Sequence, residues 1–178
     1  MASQLKSLPD WRRRPIVLVG LMGVGKSTIG RRLAQRLRLP FVDADHEIER
    51  AAGLSIAEIF ERFGEPHFRD GERRVITRLL DGSPKVLATG GGAFINDATR
   101  ARILALSTAV WLDADVSVLA ERVGRRATRP LLVGRDPNEV LGELAATRNP
   151  IYAEAHIHIR SQPAPHEATV DAILAALR

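Results

Sequence analysis

The chain contains no cysteine, few aromatic residues and very little lysine. The absence of cysteine excludes disulfide bonds and thiolate metal sites. Phe, Trp and Tyr together make up 4% of the residues, so stacking platforms for single-stranded nucleic acid are not evident. Lysine occurs only as Lys6, Lys26 and Lys85, and arginine therefore supplies most of the positive charge.

Long apolar segments are also missing. No apolar run approaches the roughly 20 residues of a membrane span, and the stretch from Met1 to Arg14 has no apolar signal core. We therefore expect a cytoplasmic protein with no membrane partner. A chain of 178 residues can bury a sizeable core. We expect residues 15–178 to form a single domain and residues 1–14 to form a flexible basic extension.

The excess of arginine has two explanations. Nucleic-acid binding is one way to account for a net charge of +5. Small anionic ligands account for some of it equally well, because a guanidinium pairs with phosphate or carboxylate through two hydrogen bonds. The arginines are scattered along the chain rather than clustered. We therefore expect no nucleic-acid partner.

The most informative stretch runs from Gly20 to Thr28 and contains a glycine, four further residues and then Gly-Lys-Ser. The apolar run Ile16–Val19 before it predicts a buried strand, and residues 28–39 after it predict a helix. Glycines allow backbone N–H groups to surround a phosphate, and the start of a helix adds further N–H groups. The alternative is an ordinary glycine-rich turn, which does not require a strand, a glycine loop, a lysine, a hydroxyl residue and a helix in this order. The pattern predicts a phosphate loop (P-loop) with Lys26 at the outer phosphates of a nucleotide and Ser27 as a Mg²⁺ ligand.

Strand-like and helix-like segments alternate along the whole chain. Strands are predicted at 16–19, 40–43, 85–89, 108–112 and 156–159. Such alternation predicts an α/β fold with three layers, in which a central five-stranded parallel sheet lies between helices. We expect the type found in P-loop NTPases and nucleoside-monophosphate kinases, with a lid. Ligands in such folds bind beyond the carboxyl ends of the strands.

Chemically informative residues follow three of these strand ends. The P-loop follows the first strand, Asp43 and Asp45 follow the second, and Gly90–Gly92 follow the third. Two carboxylates near a triphosphate can hold Mg²⁺ through water and receive a substrate hydroxyl. Helix N-capping is an alternative use of the same residue type.

Two other segments have more than one interpretation. Residues 124–136 are rich in Arg, Gly and Pro and have no clear period, which predicts a mobile lid, with a plain surface loop as the alternative. His156 and His158 alternate on the last predicted strand. A metal pair is conceivable, but the absence of neighbouring ligands favours a solvent-facing strand.

Several ordered motifs point together to one family. Beyond the P-loop they are Phe41-Val42-Asp43-Ala44-Asp45, Ser55-Ile56-Ala57-Glu58-Ile59-Phe60, Phe68-Arg69 with Glu72, Gly90-Gly91-Gly92-Ala93, Arg129-Pro130-Leu131-Leu132, and Arg148 with Pro150 and Tyr152. With these motifs the chain resembles the shikimate kinases from about residue 16 to residue 178. The P-loop is shared by many families, whereas the ordered combination is specific.

The resemblance implies ATP-dependent and Mg²⁺-dependent phosphorylation of the 3-hydroxyl of shikimate, a step of the chorismate pathway to aromatic amino acids. It implies one Mg²⁺ per subunit, with ATP as co-substrate and shikimate as the other small-molecule partner. We expect a monomer. The resemblance also places the substrate-binding helices at about residues 43–80 and the lid at about 124–136.

A role for each matched residue also follows from the resemblance. The residues implied to bind ATP are Gly23, Val24, Gly25, Lys26, Ser27, Thr28, Arg122 and Arg129. The residues implied to bind shikimate are Asp45, Arg69, Gly91 and Arg148, with the two arginines on its carboxylate. The implied Mg²⁺ ligands are Ser27 and Asp43, and the implied catalytic residues are Lys26, Asp45 and Arg129. Residues 161–166 align ambiguously with the family and receive no role.

Two other functions stay open on the residues alone. Another small-metabolite kinase of similar architecture, such as a gluconate kinase, would also need a carboxylate site. A nucleotide-dependent regulatory protein that associates with nucleic acid would fit the basic composition. The combination of five motifs favours shikimate as the acceptor, and an acceptor site beside the nucleotide loop favours an enzyme.

Overall fold

The computed structural model describes residues 9–125, 132–161 and 163–178. The strands are β1 (Ile16–Val19), β2 (Phe41–Asp43), β3 (Val86–Ala88), β4 (Thr108–Asp113) and β5 (Ile157–Arg160). The helices are α1 (Lys26–Leu37), α2 (Ala44–Ala52), α3 (Ile56–Phe63), α4 (Glu65–Leu79), α5 (Asp97–Leu106), α6 (Val116–Gly124), α7 (Pro137–Tyr152) and α8 (His166–Ala176). A 3₁₀ turn at Ala93–Ile95 precedes α5. Within the described ranges, no helix has the length and apolar character needed to cross a membrane.

The five strands form one parallel sheet in the order β2-β3-β1-β4-β5. β1 lies in the middle, where Leu18 is aligned with Ala88 of β3 and Val110 of β4. Every residue of β1, β3 and β4 is buried, whereas the two edge strands β2 and β5 are partly exposed. The predicted five-stranded parallel sheet is confirmed.

Helices cover both faces of this sheet because the connections that leave the neighbouring strands β1 and β3 run in opposite directions along it. The chain passes from β1 to β2 in one direction and from β2 through β3 and β4 to β5 in the other. Since connections between parallel strands are right-handed, α1 lies on one face and α4, α5 and α7 lie on the other. α8 packs against α1, with Arg32 paired to Glu167 at 2.7 Å and Arg36 paired to Asp171 at 3.2 Å. A ligand crevice is expected at such a reversal point.

Local sequence explains where the helices near the site begin. α1 begins at Lys26, earlier than the predicted start at residue 28, because its N-cap Gly25 has a left-handed backbone with φ 94°. Asp43 caps α2 by accepting hydrogen bonds from two backbone N–H groups. α3 begins with a capping box formed by Ser55 and Glu58, as their spacing predicts.

The N-terminal segment, expected to be flexible over residues 1–14, is anchored where the structure describes it. The indole N–H of Trp11 donates to the carbonyl of Leu177 at 3.0 Å, and the hydroxyl of Thr108 donates to the carbonyl of Pro9 at 2.9 Å. Trp11 also packs against the hydrophobic core. These contacts hold the described part of the extension against the domain, and the flexibility expected for residues 1–14 stays a prediction.

Candidate active site

The P-loop connects β1 to α1 and has a path that requires glycine. Gly23 and Gly25 have φ values of 83° and 94°, in the region that other residues rarely adopt. The ammonium of Lys26 donates to the carbonyls of Gly20 at 2.6 Å and Leu21 at 3.0 Å. The loop is thus curved around the lysine at the N-terminus of α1, an arrangement suited to an anion.

The hydroxyl of Ser27 and the carboxylate of Asp43 are directly hydrogen-bonded. Ser27 Oγ donates to Asp43 Oδ2 at 2.6 Å. The other carboxylate oxygen, Oδ1, accepts from the backbone N–H groups of Asp45 at 3.0 Å and His46 at 3.4 Å. Asp43 therefore caps α2 with one oxygen and contacts the P-loop with the other. Helix capping and a role beside the P-loop are thus compatible in one side chain.

The glycines after β3 are closely approached by charged side chains. A Cβ built on Gly90 would lie 2.8 Å from Oδ1 of Asp45 and 3.4 Å from Oε2 of Glu72. Any larger residue at this position would displace the Asp45 carboxylate, because contacts below 3.0 Å do not occur for real Cβ atoms. Asp45 from α2 and Glu72 from α4 thus meet over the first glycine of the loop.

The two predicted carboxylate-binding arginines approach the next two glycines. Nη1 of Arg148 lies 3.5 Å from the position of a Cβ on Gly91, and Nη2 of Arg69 lies 2.6 Å from that of a Cβ on Gly92. The three residues that the family resemblance assigns to shikimate from α2, α4 and α7 therefore converge on one glycine loop. Their side chains are brought together by the fold from positions far apart in the sequence.

Glu72 is a nearly fully buried carboxylate within this cluster. It accepts from Nη1 of Arg69 at 3.0 Å, while Arg69 also reaches Glu65 at 3.4 Å. Burial raises the pKa of Glu72, and the nearby Asp45 adds to the rise, whereas Arg69 and Arg148 lower it. Glu72 therefore holds Arg69 in place at the expense of burying a charge.

Tyr152 also contacts the glycine loop. Its hydroxyl donates to the carbonyl of Gly91. The side chain is fully buried near Phe94 and Trp111, with ring centroids 6.3 Å and 6.0 Å away. Burial raises the pKa of Tyr152 to about 12, and the charge and hydrogen bond of Arg148 oppose that rise. The hydroxyl is therefore a protonated donor at neutral pH.

A cavity of about 850 Å³ lies beside the P-loop. One side is lined by the P-loop, Asp43, Asp45 and the first glycines of the loop after β3, and the other by the end of α6 and residues 163–166. Arg122 lines this second wall and donates weakly to the carbonyl of Gly23 at 3.4 Å. Arg69 and Arg148 do not line this cavity and lie against the glycine loop. Arg129, predicted to act from the lid, lies outside the described residues, as do residues 126–131 as a whole.

The two histidines of the last predicted strand have structural partners, His156 just before β5 and His158 within it. His156 Nδ1 accepts from the backbone N–H of Ala109 at 2.9 Å. The half-exposed ring of His158 stacks on Trp111 with centroids 3.9 Å apart and lies 3.1 Å from Asp113. No cluster of three or more metal-binding side chains was found within residues 9–125, 132–161 and 163–178. Both rings are therefore engaged by protein groups.

Three residues near the cavity received no role from the sequence. Glu72 follows Arg69 by three positions, which is the spacing of a helical ion pair and was an available signal. Tyr152 belongs to the motif with Arg148 and Pro150. Its contact with Gly91 joins two segments that are far apart in the sequence, so no local pattern could predict it. His166 lines the cavity from a region whose alignment is ambiguous.

Comparison with known proteins identifies the family. A family model described as shikimate kinase matches residues 22–178. The chain belongs to the shikimate kinase family. A shikimate kinase from Caulobacter vibrioides is 62% identical over 171 residues, which cover 96% of this chain and 86% of the relative.

Solved structures agree with this assignment. A shikimate kinase from Acinetobacter baumannii in complex with shikimate superimposes with a TM-score of 0.89 at 39% identity, covering 92% of both chains. A gluconokinase from Sinorhizobium meliloti superimposes with a TM-score of 0.57 at 21% identity, covering 93% of this chain and 92% of that one. The second similarity shows a shared fold only, so shikimate kinases are the relevant relatives.

Proposed function

We propose that this chain transfers the γ-phosphoryl group of ATP to the 3-hydroxyl of shikimate, giving shikimate 3-phosphate and ADP in the chorismate pathway. The observation that carries the proposal is the convergence of Asp45, Arg69 and Arg148 on Gly90–Gly92 beside the P-loop. Shikimate is a polyol acid, so its recognition needs a clamp for the carboxylate and an acceptor for the hydroxyls. Paired guanidinium groups and an aspartate meet those needs.

The reaction joins a donor half and an acceptor half of the site. The 3-hydroxyl oxygen forms a bond to the γ-phosphorus as the bond from that phosphorus to the bridging oxygen of ADP breaks. Asp45 accepts the proton of the attacking hydroxyl. Because the transition state of phosphoryl transfer is loose, positioning and charge neutralisation outweigh base catalysis. Lys26 would neutralise charge on the outer phosphates, and Arg129 would contribute from the lid.

A Mg²⁺ ion would fit beside the P-loop. Ser27 Oγ and Asp43 Oδ2 lie 2.6 Å apart, and this all-oxygen pair suits a hard cation that keeps several water and phosphate ligands. When bound, the ion would neutralise the charge of the phosphates. We assign one ion per subunit, with Ser27 as a ligand and Asp43 acting through water.

The remaining assignments concern the nucleotide and the organisation of the chain. We propose that residues 23–28 bind the phosphates and that Arg122 covers the adenine. A continuous hydrophobic core through the described elements supports a single domain over residues 15–178. Within it, residues 43–80 would bind the acceptor and residues 124–136 would form the lid. We propose a monomer as the active form.

The proposal is tested by a coupled assay of ADP release. ADP formation should depend on shikimate and Mg²⁺, while gluconate at the same concentration should leave the rate at the background of ATP hydrolysis. Asp45→Asn should reduce the shikimate-dependent rate strongly, with Asp10→Asn, on the described N-terminal segment, as a control of equal charge change. A rate that shikimate does not stimulate would refute the proposal, and stimulation by gluconate alone would favour the gluconate kinase alternative.

A further inference from the structure

Arg100 of α5 is a largely buried arginine that has no assigned role at either substrate. Its side chain is only 17% exposed. Nη1 donates to the carbonyls of Phe94 at 3.2 Å and Ile95 at 3.1 Å. Nη2 donates to Asp97 at 2.7 Å, and Nε pairs with Oε2 of Glu154 at 2.5 Å. One guanidinium therefore joins the 3₁₀ turn, the start of α5 and the segment that follows α7.

The 3₁₀ turn that Arg100 holds is the direct continuation of the glycine loop at residues 90–92. The backbone N–H of Ala93 donates to the carbonyl of Gly90 at 3.3 Å, and that of Ile95 donates to the carbonyl of Gly92 at 3.2 Å. The last carbonyl groups of such a short turn have no partner within it, so they depend on donors from elsewhere. Because Arg100 supplies these donors, its position affects the path of the glycine loop.

The other partner of the guanidinium, Glu154, is attached to the end of α7. Its backbone N–H donates to the carbonyl of Ile151 at 3.1 Å, within the last turn of that helix. The same end of α7 carries Tyr152, whose hydroxyl donates to the carbonyl of Gly91, and Arg148 lies one turn earlier. The end of α7 is therefore joined to the glycine loop twice, once directly by the tyrosine and once through the guanidinium and the 3₁₀ turn.

A guanidinium is suited to hold these groups in a fixed arrangement. It is planar and presents its N–H donors in a rigid fork, so simultaneous contacts with turn carbonyls and a carboxylate fix the distance between them. Glu154 is half-exposed, and an ion pair with an exposed partner contributes little to overall stability. A positioning role of this pair is therefore separable by experiment from a role in stability.

We infer that Arg100 is a positioning residue of the acceptor site, which acts through Glu154 and the 3₁₀ turn to fix Arg148 of α7 relative to Gly91. The inference deepens the proposed function and rests on it, because the affected ligand is the acceptor whose carboxylate Arg148 binds. Among the described residues that line the cavity beside the P-loop, neither Arg100 nor Glu154 occurs. The inference therefore predicts an effect on shikimate with little effect on ATP.

The parent, Arg100→Met, Glu154→Gln and the double variant are compared by steady-state kinetics, with shikimate and ATP varied in turn. Methionine retains an unbranched apolar stem, and glutamine retains the shape of glutamate without its charge. The control Arg102→Met changes an exposed arginine of the same helix and should leave both KM values at the parental level. Urea denaturation of each protein gives its free energy of unfolding.

Arg100→Met should raise the KM for shikimate by about tenfold and Glu154→Gln by about threefold, because a small displacement of a positioned group is costly at the site. The KM for ATP should change by less than about twofold in both variants. The double variant should be no worse than Arg100→Met, since both changes remove the same contact. Equal rises of the two KM values, or effects that multiply in the double variant, overturn the inference. Lower stability with a parental KM for shikimate overturns it as well.

Glu154→Gln keeps the test decisive if Arg100→Met does not fold. Because the glutamate is half-exposed, its replacement should leave the folded state intact. A raised KM for shikimate in this variant supports the inference, and a parental value overturns it. The parent separates this result from the proposed function. A parent whose rate shikimate does not stimulate refutes the proposed function, whereas a stimulated parent with unaffected variants refutes only the role of Arg100.

Discussion

The guanidinium of Arg69 lies against Gly92 so closely that a Cβ there would be 2.6 Å from Nη2. Nη1, which also lies close to that position, donates to the buried carboxylate of Glu72 at 3.0 Å. The arginine is thus confined between a carboxylate and a residue with no side chain. Its orientation toward the acceptor site depends on both neighbours.

Gly92→Ala should displace Arg69 and weaken binding of shikimate. Partial loss of a charged hydrogen-bonding group corresponds to an increase of about tenfold in the KM for shikimate. The KM for ATP should change less than about twofold, because the P-loop is not touched by the added methyl. Steady-state kinetics with each substrate varied in turn measures both values.

The control for this substitution is Gly142→Ala in α7, where a Cβ would meet no atom of the described residues within 4 Å. Its kinetics should match the parent, and its free energy of unfolding should rise by about 0.5–1 kcal/mol because alanine favours the helix. An equal rise of the shikimate KM in both variants would contradict the role assigned to the contact between Gly92 and Arg69.

Arg69→Ala and Arg148→Ala should each weaken binding of shikimate more than binding of ATP. Loss of one charged hydrogen-bonding partner corresponds to about 1.5–3 kcal/mol, or roughly 10- to 150-fold in affinity. Binding is measured by titration with shikimate and with ADP separately. Equal losses for the two ligands would speak against a carboxylate clamp.

Glu72→Gln should change how stability depends on pH. Burial raises the pKa of Glu72 above its ordinary value of 4.5, because the folded state favours the protonated carboxyl. The stability that the protonated Glu72 contributes is therefore fully present below about pH 4.5 and is lost as the pH rises through the raised pKa. The variant lacks this titration. Its free energy of unfolding relative to the parent should therefore increase as the pH rises from 4 to 8, as measured by urea denaturation. Glu61→Gln, on the exposed face of α3, should follow the parental profile, and a difference that falls with pH would contradict the prediction.

Tyr152→Phe should lower both stability and affinity for shikimate. Removal of the hydroxyl leaves the carbonyl of Gly91 without this donor, which costs about 1–3 kcal/mol when the group is buried. The KM for shikimate should rise while the KM for ATP stays near the parental value. Because the pKa of Tyr152 is about 12, the effect should be constant between pH 6 and 9. Lower stability with an unchanged KM for shikimate would show that Tyr152 stabilises the core and has no effect on shikimate binding.

Ser27→Ala should raise the Mg²⁺ concentration needed for half-maximal activity by about tenfold, since it removes one neutral oxygen ligand of the cation at the proposed site. Asp43 keeps its capping bonds through Oδ1, so the free energy of unfolding should change by less than about 1 kcal/mol. Ser27→Thr retains a hydroxyl and serves as the matched control. Parental activity of the alanine variant at parental Mg²⁺ concentrations would contradict the assignment of Ser27 as a Mg²⁺ ligand.

Sequence reasoning found the elements that local patterns specify. The apolar period and the turn residues predict the strands, and the contiguous motif before Thr28 predicts the P-loop. The strand order, with β1 at the centre, depends on pairing between distant segments and was not readable from any one of them. The anchoring of Trp11 was missed for the same reason, because its partner Leu177 lies at the other end of the chain.

The candidate site could be predicted from the sequence only in part. The assignment of Asp45, Arg69 and Arg148 to the acceptor came from a resemblance and stays a prediction. Their approach to three consecutive glycines comes from the packing of α2, α4 and α7 around the end of β3. His166 had no signal in the sequence, since its contact with Gly25 depends on how α8 packs on α1.

The sheet order also gives the two strands that lead to Ser27 and Asp43 different resistance to local unfolding. β1, which leads into the P-loop, is fully buried between two neighbours, whereas β2, which ends at Asp43, is a partly exposed strand that pairs with β3 at the edge of the described sheet. Backbone opens first where few buried contacts protect it, so amide hydrogens of β2 should exchange with deuterium well before those of β1. Such an opening would separate Asp43 from Ser27 while the P-loop stays folded. The protein would then pass through brief states that retain a nucleotide without being able to transfer its phosphate.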